Sequence, residues 1–135
     1  MKIDGACHCG NIKFEAEVDP AKVVICHCSD CQSLSASAFR TVAFVDASTF
    51  KLLGAEPKIY IKTAESGNKR LQAFCSECGS GIYATSDEDS PKVLGLRVGV
   101  ITQRDQLPPS KQIWTSSAQA WVDDMNSLEK VEKQS

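Results

Sequence analysis

Cys75-Ser76-Glu77-Cys78-Gly79-Ser80-Gly81 sets two thiols three residues apart on a segment whose glycines let the backbone turn back underneath them. Tetrahedral zinc needs ligands on one side of a turning backbone, and Cys-x-x-Cys supplies that in a single knuckle. Working outward, Cys7-His8-Cys9 lies near the N-terminus and Cys26-His27-Cys28-Ser29-Asp30-Cys31 lies between, so all seven cysteines fall within three residues of another. A Cys-x-Cys pair in extended chain points both thiols to one face and the middle residue away. His8 and His27 therefore carry two readings: a ligand or acid/base group, or an imidazole on the opposite face bonded to backbone or carboxylate.

A closed structural zinc takes four ligands, whereas a reactive one takes three and keeps an exchangeable position. Four plus three uses every cysteine. Cys7 and Cys9 with Cys75 and Cys78 make the natural quartet, because that closure ties the first strand to a later β-hairpin. The trio Cys26, Cys28 and Cys31 then lacks a fourth thiolate, and two Zn²⁺ per chain are expected. Alternatives remain for the trio: a structural site completed by His27 or Asp30, a thiol cluster without metal, or a redox or metal-relay cluster. Cys26 and Cys28 could also complete a quartet elsewhere.

The 135 residues fit a single domain, 1–135, with a polar tail over 125–135. Apolar residues make up 42% and charged residues 24%, enough apolar material for a core that metal supplements rather than replaces. The formal charge is −2, and it becomes more negative once seven thiolates hold two zincs. Either way the chain lacks the basic face that nucleic acid requires. Lys58, Lys62, Lys69 and Arg70 gather mid-sequence, read as a solvated strand-and-turn surface or as attraction for an anionic thiol substrate. No segment is long and apolar enough to cross a membrane. Met1 to Cys7 carries no apolar signal stretch, so the expected location is a reducing cytoplasm, where close cysteine pairs are metal ligands or catalytic groups.

The remaining pattern predicts a mainly β domain with one or two short helices. Ile12, Phe14 and Ala16 alternate with Lys13, Glu15 and Glu17, and Val23-Val24-Ile25 leads into Cys26. Thr41 to Val45, Lys58 to Lys62, Leu71 to Phe74 and Val93 to Val100 read as strands, the last with Gly95 and Gly99 marking a bulge or a close backbone approach. Ser29 is the expected cap of a short helix running towards Ala38. Pro108-Pro109 is expected to end the sheet before a helical turn or two over Ser116 to Val122. Trp114 and Trp121 are expected in the core or a lid, Phe39, Phe44 and Phe74 in the core, and Glu77 in solvent.

Zinc on three thiolates is electron-rich yet holds a thiol as thiolate, which can attack an aldehyde carbon; the reverse step cleaves carbon–sulfur. His27, Asp30 and Ser29 are candidates for moving the proton at the carbinol oxygen. No His-Glu-x-x-His, phosphate-binding glycine loop, dinucleotide fingerprint or nucleophile elbow appears. A non-enzymatic zinc-binding protein-interaction module is the alternative reading.

Gly5-Ala6-Cys7-His8-Cys9-Gly10-Asn11-Ile12-Lys13-Phe14-Glu15, the Cys26 to Gln32 run, and Phe74-Cys75-Ser76-Glu77-Cys78-Gly79-Ser80-Gly81-Ile82-Tyr83 together resemble the glutathione-dependent formaldehyde-activating enzymes. Ile113-Trp114-Thr115-Ser116-Ser117 and Trp121 are similar to that family's closing segment, so the likeness runs from Gly5 to about Asp124. Gln112 departs from the pattern, standing where many relatives have a histidine. The resemblance implies a small zinc-bridged β-sheet fold and a carbon–sulfur lyase forming or breaking S-hydroxymethylglutathione from glutathione and formaldehyde. It further implies a structural zinc on Cys7, Cys9, Cys75 and Cys78 and a catalytic zinc on Cys26, Cys28 and Cys31.

Overall fold

The computed structural model describes residues 1–134; Ser135, the end of the expected tail, lies outside them. Alternation of apolar and polar residues builds two sheets. The smaller has the order β1 (Lys2–Ala6), β2 (Lys13–Glu17), β5 (Lys51–Leu52), all antiparallel. The larger contains β3 (Val23–Cys26), β4 (Arg40–Asp46), β6 (Lys58–Thr63), β7 (Lys69–Phe74), β8 (Gly81–Ser86), β9 (Val93–Arg97) and β10 (Lys111–Ile113). Its spatial order is β10-β3-β4-β9-β8-β7-β6, antiparallel except for the β10–β3 pair. One α-helix, α1 (Ser29–Ser35), follows β3. The mainly β expectation holds.

The core lies between the two sheets. In β2 the exposed Lys13, Glu15 and Glu17 alternate with buried Phe14 and Ala16. Opposite them stand Ala43, Val45, Leu94 and Leu96 of the larger sheet. Phe14 stacks on Phe50 with centroids 5.5 Å apart, and Phe50 meets Tyr83 of β8 edge-on at 5.3 Å, which links the sheets through three rings. Burying a side chain the size of Phe14 contributes about 1.5–3 kcal/mol, so such contacts, more than metal, supply the bulk of the core.

The other face of the larger sheet is the one that matters for function. Strand residues alternate sides, so Val42, Phe44, Gly95, Ala84, Gln72, Arg70 and Arg97 form a second surface, with Cys26 at the end of β3. The register puts Val42 opposite Arg97, Phe44 opposite Gly95, Ala84 opposite both Gly95 and Gln72, and Arg70 opposite Lys62. A methyl on Gly95 would sit 3.0 Å from Val42 Cγ1, so glycine here keeps this surface hollow.

Several local expectations need correction. The strand expected over Val93 to Val100 ends at Arg97; Val98–Val100 is a 3₁₀ turn, because Ile101 bridges to Gly5 and Thr102 N donates to the Asp4 carbonyl at 2.8 Å. Gly99 has open space beside it and marks no close approach. The helix cap is Cys28, whose sulfur accepts from Cys31 N, and the helix stops at Ala36 in the left-handed region rather than at Ala38. Pro108-Pro109 does not end the sheet, since β10 follows and pairs parallel to β3. The closing segment forms 3₁₀ turns at Thr115–Ser117 and Ala120–Ser127. Trp114 and Trp121 are 53% and 49% exposed and belong to no core, while Phe39, Phe44 and Phe74 are half-buried beside rather than within it. Glu77 is exposed as expected. No helix among the described residues is long and apolar enough to cross a membrane.

Gly5 is where β1 passes closest to its neighbours: a Cβ there would collide with Phe14 Cζ and with the Val100 carbonyl oxygen. Backbone cannot swing aside as a side chain can. Gly5→Ala is therefore expected to destabilise the fold by about 1–3 kcal/mol, read as a lower midpoint in thermal or urea unfolding; an unchanged midpoint would contradict this packing.

Candidate metal centre

Two groups of sulfurs assemble. The Sγ atoms of Cys7, Cys9, Cys75 and Cys78 all lie within 4.8 Å of one another, and so do those of Cys26, Cys28 and Cys31. All seven cysteines are free. Cys7 Sγ to Cys9 Sγ is 3.6 Å and Cys9 Sγ to Cys75 Sγ is 3.8 Å, far longer than a disulfide. A tetrahedron built on Zn–S bonds of about 2.3 Å has sulfurs about 3.8 Å apart, so the quartet has the dimensions of a four-thiolate zinc site. All-sulfur donors also suit zinc better than the hard cations. Neither His8 nor His27 contributes a nitrogen to either group.

The quartet joins two knuckles on different sheets. Cys7 follows β1, but Cys7-His8-Cys9 sits in a turn rather than in extended chain: Gly10 N donates to the Cys7 carbonyl at 3.0 Å, and Gly10 takes φ +80. Cys75 and Cys78 sit between β7 and β8, where Gly79 N donates to the Cys75 carbonyl at 2.9 Å and Gly79 also takes φ +80. Both knuckles aim amides at sulfur, from Ile12 N to Cys7 Sγ at 3.2 Å and from Glu77 N to Cys75 Sγ at 3.4 Å. Ser80 Oγ stitches them together, accepting from His8 N at 3.1 Å and lying 3.3 Å from Cys78 Sγ. Exposed His8 thus serves through its backbone.

Donated hydrogen bonds favour thiolate. Cys78 is held down to about 5 by the Ser80 hydroxyl and amide and by the Cys9 amide. At Cys7 burial works upward, but the Ile12 amide with the Cys9 and Cys75 thiols brings the net shift down. At Cys9 the Asn11 amide pulls down, yet burial and its three thiol neighbours outweigh it and push it up to about 12. Cys7 and Cys78 are shifted towards the thiolate form that a cation requires.

The trio occupies the hinge from β3 into α1. Cys26 ends β3, Cys28 caps the helix, and Cys31 lies in its first turn, with Cys31 N donating to Cys28 Sγ at 3.2 Å. A hydrogen bond from the Cys31 thiol, helped by the Cys28 amide and thiol and by Arg40, holds Cys26 down to about 5 against burial. Cys31 is pushed well above the ordinary thiol range, first by its bond to Cys26 and then by burial. Cys26 is buried while Cys28 and Cys31 are only half-buried, so the trio opens outward.

His27 faces away from the trio, and it anchors the hinge. The residue is completely buried; its ring meets Phe39 edge-on at 5.6 Å, and Nε2 donates to Gln112 Oε1 at 2.7 Å, the tautomer that an amide acceptor selects. Its carbonyl accepts from Gln32 Nε2 at 2.7 Å and Ser117 Oγ at 2.9 Å, and its amide donates to the Ile113 carbonyl at 3.1 Å. Asp30 is about half exposed and pairs with Lys62 Nζ at 2.6 Å.

Two hollows flank the trio. One, of about 590 Å³, is walled by Cys28, the Lys62–Asp30 pair and Trp114. Trp114 takes φ 57, a left-handed conformation costing a bulky residue about 1–3 kcal/mol. The other, of about 130 Å³, has Cys26 and Cys31 on its wall and Arg40, Arg70, Arg97 and Gln72 around it. Burial, then repulsion from Arg40 and Arg70, holds Arg97 down to about 9, with Cys31 and Cys26 pulling the other way. Sequence reasoning singled out Lys62 and Arg70 only as members of a surface run; Lys58 and Lys69 do remain exposed away from these hollows. Arg40, Gln72 and Arg97 carry no local signal, because only sheet register brings them together.

Comparisons agree with this architecture. The family model described as glutathione-dependent formaldehyde-activating enzyme matches residues 2–117, and the chain belongs to that family. A crystal structure of a Rhodobacter sphaeroides protein shares the fold with a TM-score of 0.61, at 20% identity, covering 81% of this chain and 98% of that one. No curated protein matches the chain. Membership supports an enzyme acting on adducts of glutathione and formaldehyde.

The two clusters should respond differently to loss of a ligand. Cys75→Ser removes a buried member of the cluster joining the sheets and is expected to cost on the order of several kcal/mol, seen as a lower thermal midpoint. Cys28→Ser, on a half-exposed member of the other cluster, is expected to leave the midpoint close to that of the unaltered protein. Equal destabilisation by both would contradict the division.

Proposed function

We propose that this family member is a cytoplasmic zinc-dependent carbon–sulfur lyase that forms or breaks adducts between a small, glutathione-like thiol and a formaldehyde-like aldehyde. Cys7, Cys9, Cys75 and Cys78 would hold a structural zinc, and Cys26, Cys28 and Cys31 a reactive one. The observation that carries the reading is the trio itself: three mutually close sulfurs, two of them on half-buried residues, between two hollows, with no fourth cysteine, histidine or carboxylate joining them among the described residues. Zinc held there would supply a soft acceptor that keeps a bound thiol ionised.

In the forward direction the thiol sulfur bonds to the carbonyl carbon, and the thiol's proton ends on the former carbonyl oxygen. The reverse returns that proton and breaks the carbon–sulfur bond. Lys62 and Asp30 line both hollows and are the groups we assign to proton movement at the carbinol oxygen. His27 takes no part in it, being sealed and bonded to Gln112. Trp114 would close one side of the larger hollow over a thiol's backbone. A zinc-binding interaction module is the second reading, favoured by edge strand β6, which leaves Ile59, Tyr60 and Ile61 exposed.

Exchange NMR on mixtures of glutathione and formaldehyde decides between them. The protein should accelerate interconversion of free formaldehyde and S-hydroxymethylglutathione. Cys28→Ala should lower that rate by more than about 100-fold, beyond the usual effect of groups that only support metal ligands, with an unchanged circular dichroism spectrum. A rate retained in the variant, or no acceleration by the intact protein, would overturn the lyase reading.

A further inference from the structure

Three arginines converge on the small hollow beside Cys26 and Cys31. Arg40 Nη1 and Arg97 Nη2 both donate to one neutral acceptor, Gln72 Oε1, at 3.4 and 2.8 Å. Among the described residues, no carboxylate lies within ion-pair distance of Arg40, Arg70 or Arg97; the sole acidic group on the hollow, Asp30, is already paired with Lys62 at 2.6 Å. All three arginines are half-buried, and guanidinium groups drawn partly out of water are ordinarily paired, since desolvating an unmatched charge is costly. Here like charges are drawn together and share an amide.

The neighbouring sulfurs balance only part of this charge. Cys26, Cys28 and Cys31 holding one zinc as thiolates would carry a formal −1 against three guanidinium groups, and a bound thiolate would bring the cluster to −2. One positive charge then remains unmatched. The hollow behind it is a built space: its floor is Val24, Val42 and Ala84, and Gly95 stands where a Cβ would press on Val42 Cγ1 at 3.0 Å and approach Arg97 Nη1 at 3.8 Å. Guanidinium forks match a carboxylate's two oxygens, and about 130 Å³ holds a short acid group and little else.

We infer that Arg40 and Arg97, oriented by Gln72, form with Arg70 a carboxylate-binding subsite beside Cys26 and Cys31, so that the substrate carries a carboxylate close to its reacting carbon. The inference rests on the proposed lyase reading for the word substrate, and on geometry alone for the subsite. The carboxylate has two possible sources, an aldehyde bearing an adjacent acid group or the thiol's own acid group. The size of the hollow favours the first.

Calorimetric titration of the full, zinc-loaded chain with propanoate and with propanamide tests the subsite without turnover. Propanoate should bind at least about tenfold tighter than propanamide, in line with the strength of charge-assisted over neutral hydrogen bonds. Arg70→Gln, at the rim, should erase most of that preference, and Arg97→Lys should weaken it, with zinc content and unfolding midpoint measured for each. Equal binding of acid and amide would overturn the inference. So would variants that lose zinc yet keep the preference, since the arginines would then only balance the thiolates. Two further titrations separate the sources. Glyoxylate outbinding its amide points to the aldehyde, whereas glutathione outbinding its glycyl ethyl ester points to the thiol. Carboxylate preference with no thiol–aldehyde exchange would sink the lyase reading and keep the subsite; exchange without carboxylate preference would do the opposite.

Discussion

Everything in this molecule hangs on four sulfurs drawn together from two sheets. Cys7 and Cys9 turn off the three-stranded sheet, and Cys75 and Cys78 sit on the β7–β8 knuckle of the seven-stranded one, all within 4.8 Å. Four thiolates could not crowd so closely without a cation, and the opposite shifts at Cys78 and Cys9 express that conflict. Cys7, Cys9, Cys75 and Cys78 would resolve it by binding a metal as four thiolates. With the knuckles joined, the sheets face each other at a fixed distance, and Phe14, Phe50 and Tyr83 fill the gap.

That arrangement commits one face of the larger sheet to the core and frees the other. On the free face a strict strand alternation would ordinarily present polar residues to water. Instead α1 and its flanking turns lie beside it, and the hinge that starts the helix carries Cys26, Cys28 and Cys31. His27 makes the hinge rigid from behind through Phe39, Gln112, Gln32 and Ser117, which is why a histidine flanked by two thiols is not itself a ligand. Positioning the trio and sealing the imidazole are one structural act. The mutual closeness of one buried and two half-buried cysteines follows from it, and so does the opening towards the two hollows.

The sequence makes some of this plain and hides the rest, for reasons that are physical. Cysteine clusters are legible because a knuckle is local: Cys75 to Cys78 and Cys26 to Cys31 need only a few backbone angles to converge. Strands β2, β4 and β7 are legible from alternation, since each has one face in or beside the core, whereas β6 is legible from its β-branched and aromatic residues although it leaves them exposed at the sheet edge. β10 is hidden, as three residues after a double proline acquire meaning only through parallel pairing with β3. The end of β9 is misjudged because an isolated bridge to Gly5, a non-local contact, turns the chain after Arg97. The arginine hollow is the least legible feature. Arg40, Gln72 and Arg97 sit on three strands far apart in sequence, and cross-strand register alone assembles them.

The central claim is that two zinc sites of unlike character coexist, one closing the fold and one open to small molecules. The direct measurement is zinc content of the anaerobically purified protein, followed through a timed chase with a chelator while circular dichroism reports folding. Two zincs per chain are expected, one leaving readily with the spectrum unchanged and the other leaving only as the fold is lost. A single tightly held zinc, with no second equivalent taken up on re-addition, would contradict it.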